Sequence, residues 1–146
     1  LTNCLKIEDA SALGNVHTLN LSHCPALHDV SSLTHVHYLD LSNYGGVFGD
    51  QIDAYITDCI TDVSALGDTH TLLLAGCCGV KDVSALAKCY HLDISGLTGI
   101  SDVSALDNVH YLDITGCKGV TDVSVLSNVV QLIGLGENGL PIVCDN

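Results

Sequence analysis

The sequence predicts an α/β solenoid, with short parallel strands stacked on one side and short helical turns on the other, and three observations carry that expectation. DVSAL or a close variant begins at residues 9, 29, 62, 82, 102 and 122, a period of 20 residues interrupted once by a step of 33. Self-similarity at such a period marks a repeat architecture. Apolar residues also align in columns through the repeats, the first of which contributes Leu13, Val16, Leu19, Leu21, Cys24, Leu27 and Val30. Finally, no unit of this size can bury an apolar face alone, so neighbouring units must stack and place their strands about 4.8 Å apart.

Each element follows from a local pattern. The alternation in Leu39 and Leu41, Leu72 and Leu74, Leu92 and Ile94, Leu112 and Ile114 puts those residues on one face of a short strand and the residues between them on the other. Asp9, Asp29, Asp62, Asp82, Asp102 and Asp122 each precede an apolar residue and, in most units, a Ser and Ala or Ser pair, as expected of acceptors that cap a single helical turn. A carboxylate column at this spacing costs roughly 0.8 kcal/mol per neighbour in water, which backbone hydrogen bonds can offset. A calcium ladder is disfavoured, because such loops need several oxygen ligands each and these turns offer one. Gly46, Gly79, Gly99 and Gly119 share a column ahead of the residue that re-enters the core, a place expected to need positive φ or close backbone approach.

The enlarged repeat, residues 29–61, is the main departure. Asp50 can cap a helix with Asp53 three residues on, and Ile52, Tyr55, Ile56 and Cys59 fall at i, i+3, i+4 and i+7, which predicts a short amphipathic helix packed on the turn side. Tyr44 and Phe48 are expected to plug the core beside it. At the other end, QLIGLGENGLPIVCDN drifts from the pattern by about one residue and reads as a degenerate last rung.

Composition narrows the function. Four Lys and Arg against 17 Asp and Glu give a formal net charge of −13, which repels nucleic acid and anionic lipid. No run approaches the roughly 20 apolar residues of a membrane span, so membrane insertion is not expected. The chain contains no Met and begins in mid-repeat, Leu1 matching Leu21 and Cys4 matching Cys24. It is therefore expected to be a fragment of a longer array, whose uncapped first rung could associate end to end with further repeats or another chain.

The columns spell LxxVxxLxLSxCxxV, which resembles the leucine-rich repeat consensus over nearly the whole chain. LSxCxxVxD is similar to the cysteine-containing subclass, and DVSAL with its short turn to the compact bacterial internalin type. The resemblance implies one domain over residues 1–146, a right-handed solenoid with the sheet on the concave side and the DVSAL turns on the convex side. It also implies that Cys4, Cys24, Cys77 and Cys117 are buried structural residues. A repeating buried cysteine behaves as a small hydrophobe, so reduced thiols and an intracellular compartment are expected rather than a disulfide framework.

What varies lies on the exposed strand positions. His17, His37, His70 and His110 share a column with Tyr90; Thr18, Tyr38, Thr71, His91 and Tyr111 form the next; Asn20, Asp40, Leu73, Asp93 and Asp113 form another. Aromatic area combined with acidic charge suits a basic protein or peptide. The candidate partner-binding residues are Tyr38, Asp40, His91, Asp93, His110, Tyr111 and Asp113. His91, Asp93 and Ser95 imitate the composition of a hydrolytic triad, but residues two apart on a strand stand about 6.6 Å apart and point in parallel, so catalysis is not expected. Nor is a cofactor or a metal, the histidine columns reading best as a solvated ladder. The expected function is non-enzymatic protein recognition on the concave face, the alternative a structural or adhesive array segment that acts through stacking and length.

Overall fold

The computed structural model describes residues 1–43, 60–136 and 139. The helix expected within 50–59, the plug residues Tyr44 and Phe48, and Gly46 and Cys144 lie outside the described residues. Six strands form one parallel sheet in sequence order: β1 (Thr18–Asn20), β2 (Tyr38–Asp40), β3 (Thr71–Leu73), β4 (His91–Asp93), β5 (Tyr111–Asp113) and β6 (Gln131–Ile133). Their central leucines, Leu19, Leu39, Leu72, Leu92, Leu112 and Leu132, pair in register and point inward. The residues on either side of each face outward and stay partly exposed. The architecture is thus the expected parallel solenoid, and among the described residues four of its repeats carry single 3-10 turns, two carry plain turns, and there is no long helix.

The enlarged repeat leaves the sheet unaltered, because Leu39 pairs directly with Leu72 across the longer connection. Ile60 is buried and takes the apolar place that Leu27 and Val80 hold in their own rungs. Burial is complete in the middle of the stack, where Leu39, Leu66, Leu72, Leu86, Leu92, Leu106 and Leu112 are all 0% exposed. It weakens at β1, an edge strand with a neighbour on one side. There Val16, expected in the core, is 36% exposed, and Leu1 and Leu5 are 60% and 67% exposed.

Single 3-10 turns span Ser11–Leu13, Ser64–Leu66, Ser84–Leu86 and Ser104–Leu106. The backbone N–H of each turn's first serine donates to the aspartate two residues earlier, at 2.7 Å for Asp9, 2.9 Å for Asp62, 2.8 Å for Asp82 and 2.9 Å for Asp102. Asp29 and Asp122 make the same bond to Ser31 and Ser124. The aspartates therefore do cap, but from one residue farther out than the usual cap position, which Ala10, Val63, Val83 and Val103 occupy without any side-chain bond. This is the Asx-turn geometry. The hydroxyl and N–H of that serine hold all of these carboxyls below the usual carboxylate range, against neighbouring carboxylates that push Asp29, Asp62 and Asp82 the other way.

Positive φ falls at a different column from the one expected. Gly76, Gly96 and Gly116, just past the strands, have φ of 74°, 75° and 74°, and His23 and Asn3 adopt the same region at 54° and 56°. At Gly119 the requirement is close approach instead, since a Cβ there would run into the carbonyl oxygen of Ile100. The last rung keeps register through Ile133 and then shifts, Gly134 crossing the backbone of Thr115 at φ 93°.

The inward cysteines explain their own recurrence. The thiols of Cys24, Cys77 and Cys117 donate to the carbonyls of Leu1, Leu41 and Ile94 in the preceding rung, at 3.3, 3.1 and 3.1 Å. A cysteine here fills a core position and adds a weak donor that an aliphatic residue lacks. Burial pushes the Cys117 thiol up to about 11 and the Cys89 thiol to about 12. Thr69 occupies the inward column of Val36, Cys89 and Val109, fully buried, and its hydroxyl has no partner.

Four outcomes follow from this packing and capping. Leu92→Ala should lower stability by about 2–5 kcal/mol, whereas Thr69→Val, which removes an unsatisfied hydroxyl at constant shape, should raise it by about 1 kcal/mol, both read from urea unfolding. In native protein at pH 8, iodoacetamide should leave Cys89 and Cys117 unmodified and label both once urea is added. Because the folded carboxyls sit below their unfolded pKa of about 3.9, their stabilisation is complete above that pH and disappears as pH falls through the folded values. A variant with Asp62, Asp82 and Asp102 changed to Asn should therefore have a lower urea midpoint than wild type at neutral pH, with the gap closing below about pH 4.

Candidate functional site

The outward residues of the sheet make columns in the same register as the core. Immediately before the strands, the rings of His17, His37, His70, Tyr90 and His110 stack in succession, with centroids 4.6, 4.4, 4.8 and 4.4 Å apart. Interplanar angles fall from 31° at the β1 end to 10° between Tyr90 and His110. The Nδ1 atoms of His17 and His70 lie 3.3 and 3.2 Å from the hydroxyls of Thr18 and Thr71, which fixes the orientation of both rings. His110 was the only member of this ladder expected at the site. The repeating histidine was visible in the sequence, but only register makes it a continuous stack.

The first strand position holds Thr18, Tyr38, Thr71, His91, Tyr111 and Gln131. His91 and Tyr111 pack ring against ring at 4.1 Å and are both half-buried. Tyr38 is separated from them by Thr71. Burial holds the His91 imidazole below its usual range, opposed by the negative charge of Asp93 and Asp113 and reinforced by His70.

The last strand position holds Asn20, Asp40, Leu73, Asp93, Asp113 and Ile133. The polar members of this column close the ends of their strands. Oδ1 of Asn20, Asp40, Asp93 and Asp113 accepts from the backbone N–H two residues on, at 2.8–2.9 Å. Their second atoms differ in use. Oδ2 of Asp40 accepts from the Asn20 side chain at 2.7 Å, whereas among the described residues Oδ2 of Asp93 and of Asp113 accepts no hydrogen bond.

The expected residues therefore form two groups. His91, Asp93, Tyr111 and Asp113 come together on β4 and β5 with His110 beside them, and Tyr38 with Asp40 stands apart on β2, beyond Thr71 and Leu73 of β3. The triad-like set is not assembled: Asp93 bonds the backbone N–H of Ser95, and no hydrogen bond joins His91 to Asp93 or to the Ser95 hydroxyl. Among the described residues no group of three or more His, Cys, Asp or Glu side chains is placed to hold a metal, and no helix is long and apolar enough to cross a membrane.

No protein-family model matches this chain, and no curated protein does. Among the solved structures that share its fold are two internalins. An internalin (inlF) from Listeria monocytogenes str. 4b F2365 is 24% identical over 86% of this chain and 36% of its own, with a TM-score of 0.59. Internalin C2 (inlC2) from the same strain is 23% identical over 87% of this chain and 56% of its own, with a TM-score of 0.53. The chain thus spans about a third of the first and just over half of the second. The repeat, the parallel register and these likenesses give the chain the leucine-rich-repeat fold.

Proposed function

We propose that the chain is a non-enzymatic recognition module that binds a basic protein or peptide on its sheet face, centred on His91, Asp93, His110, Tyr111 and Asp113, with Tyr38 and Asp40 as a second patch. The observation that carries this reading is the carboxylate pair on β4 and β5. Each of Asp93 and Asp113 commits Oδ1 to its own backbone and leaves Oδ2 without a donor among the described residues. The backbone bond fixes each carboxylate before a partner arrives, which lowers the ordering cost of binding. Beside them the His91 and Tyr111 ring pair supplies apolar area with polar edges, the composition that binding surfaces favour. The net charge of −13 extends the attraction to a cationic partner beyond the contact itself.

A fluorescent nona-arginine peptide tests the reading at pH 7.5. Asp93→Asn combined with Asp113→Asn should weaken binding at least about tenfold, as expected for truncating prepositioned charge acceptors. Asp82→Asn combined with Asp102→Asn removes the same charge from the turn side and should change affinity by less than about twofold. Equal losses in the two variants would leave only diffuse attraction and favour the structural-array alternative.

A further inference from the structure

The ring ladder has a property that the recognition reading does not use. In His17, His37 and His70, three ionisable rings follow one another at 4.6 and 4.4 Å, so the middle ring has an imidazole on each side. Tyr90 then separates His70 from His110, stacking on both at 4.8 and 4.4 Å. These two environments respond differently to a proton. An imidazolium over a tyrosine face is attracted by the ring quadrupole, whereas two imidazolium ions at the same separation repel. The His17–His37–His70 run is consequently stable as a stack only while part of it stays neutral.

The surroundings offer little to neutralise that charge. In the outward column two residues upstream stand His35, Asp68 and Lys88, and the Asp68 carboxylate is already paired with Lys88 at 3.0 Å. The adjoining strand column carries Tyr38, His91 and Tyr111, with Thr18 and Thr71 beside His17 and His70. Asp40, Asp93 and Asp113 lie three residues beyond the ladder, at the far side of the sheet face, and the influence of Asp93 and Asp113 reaches His91. For His37, desolvation beneath its stacked neighbours and the charges of His70 and His17 all favour the neutral ring.

We propose that this ladder is an acid-operated release device for the sheet face: as pH falls, imidazolium charge accumulates along its edge, opens the His17–His37–His70 stack and repels the basic partner bound at neutral pH. The proposal rests on the recognition reading above for its partner, but the behaviour of the ladder is independent of it. Protonating its four histidines adds four positive charges along one edge of the sheet face. The added charge lies along the edge of the face that carries the Asp93 and Asp113 acceptors and so opposes a cationic partner there.

Two measurements on the full chain decide it. In the first, NMR of the imidazole signals between pH 8 and 5 follows His37 in wild type and in His17→Phe/His70→Phe, which keeps stacked rings and removes their charge. The His37 midpoint should rise in the variant; an unchanged midpoint would overturn the coupling. In the second, nona-arginine affinity at pH 7.5 and 5.5 should fall at least about fivefold in wild type, a typical coupling factor. The fall should be at most about twofold once His17, His37, His70 and His110 are all changed to Gln. An equal fall in that variant would overturn the release device. Failure of the peptide to bind at pH 7.5, with a coupled His37 titration still present, would support the ladder and overturn the basic-partner reading instead.

Discussion

Everything in this molecule depends on the in-register row of inward leucines. A strand of three residues is too short to be stable by itself, and its central leucine is buried only because the same residue of the next rung lies directly beside it. Register set by that row is imposed on every other position of the repeat. A residue type that recurs in sequence is therefore placed against its own kind: aspartate beside aspartate on the turns, ring against ring at the edge of the sheet. The stack has to make each such column tolerable. Serine N–H and hydroxyl groups do so for the turn carboxylates, and ring stacking does so for the histidines while they remain neutral.

That constraint explains which parts were legible in the sequence. Leu92 and Leu112 announce the strand because inward columns are selected for one property, apolar volume, and a period of 20 residues reports it directly. The capping role of Asp102 was legible for a similar reason, although its position one residue outside the formal cap depends on dihedral detail that the pattern Asp, Val, Ser does not carry. The glycine expectation, positive φ or close approach, was met at Gly119 by close approach, while positive φ fell three residues earlier. Gly79, Gly99 and Gly119 and the neighbouring Gly76, Gly96 and Gly116 recur equally well, and only the backbone shows which column turns left-handed. That column also accepts His23 and Asn3, so its signature was a tolerance shared with asparagine rather than glycine alone.

The candidate site was legible as composition and not as geometry. Asp40, Asp93 and Asp113 look equivalent in sequence, yet Asn20 engages the second oxygen of Asp40 and leaves the other two distinct. Tyr38 resembles Tyr111, but Thr71 stands between Tyr38 and the His91 ring while Tyr111 packs against it. Such distinctions depend on the neighbour one rung away, which is 20 or 33 residues distant along the chain. The same cross-rung logic turns isolated histidines into one electrostatic unit, so the pH response of the sheet face belongs to the column rather than to any single residue.

The longer connection between β2 and β3 carries a separate implication. Leu39 meets Leu72 as directly as Leu92 meets Leu112, although more chain intervenes. The entropy of closing a loop rises only logarithmically with its length, so extra residues at this corner add little to the cost of pairing the strands on either side. Growth of the polypeptide and continuity of the sheet are thereby uncoupled. The corner after a strand is a port through which an engineer could graft a foreign loop without re-registering the array.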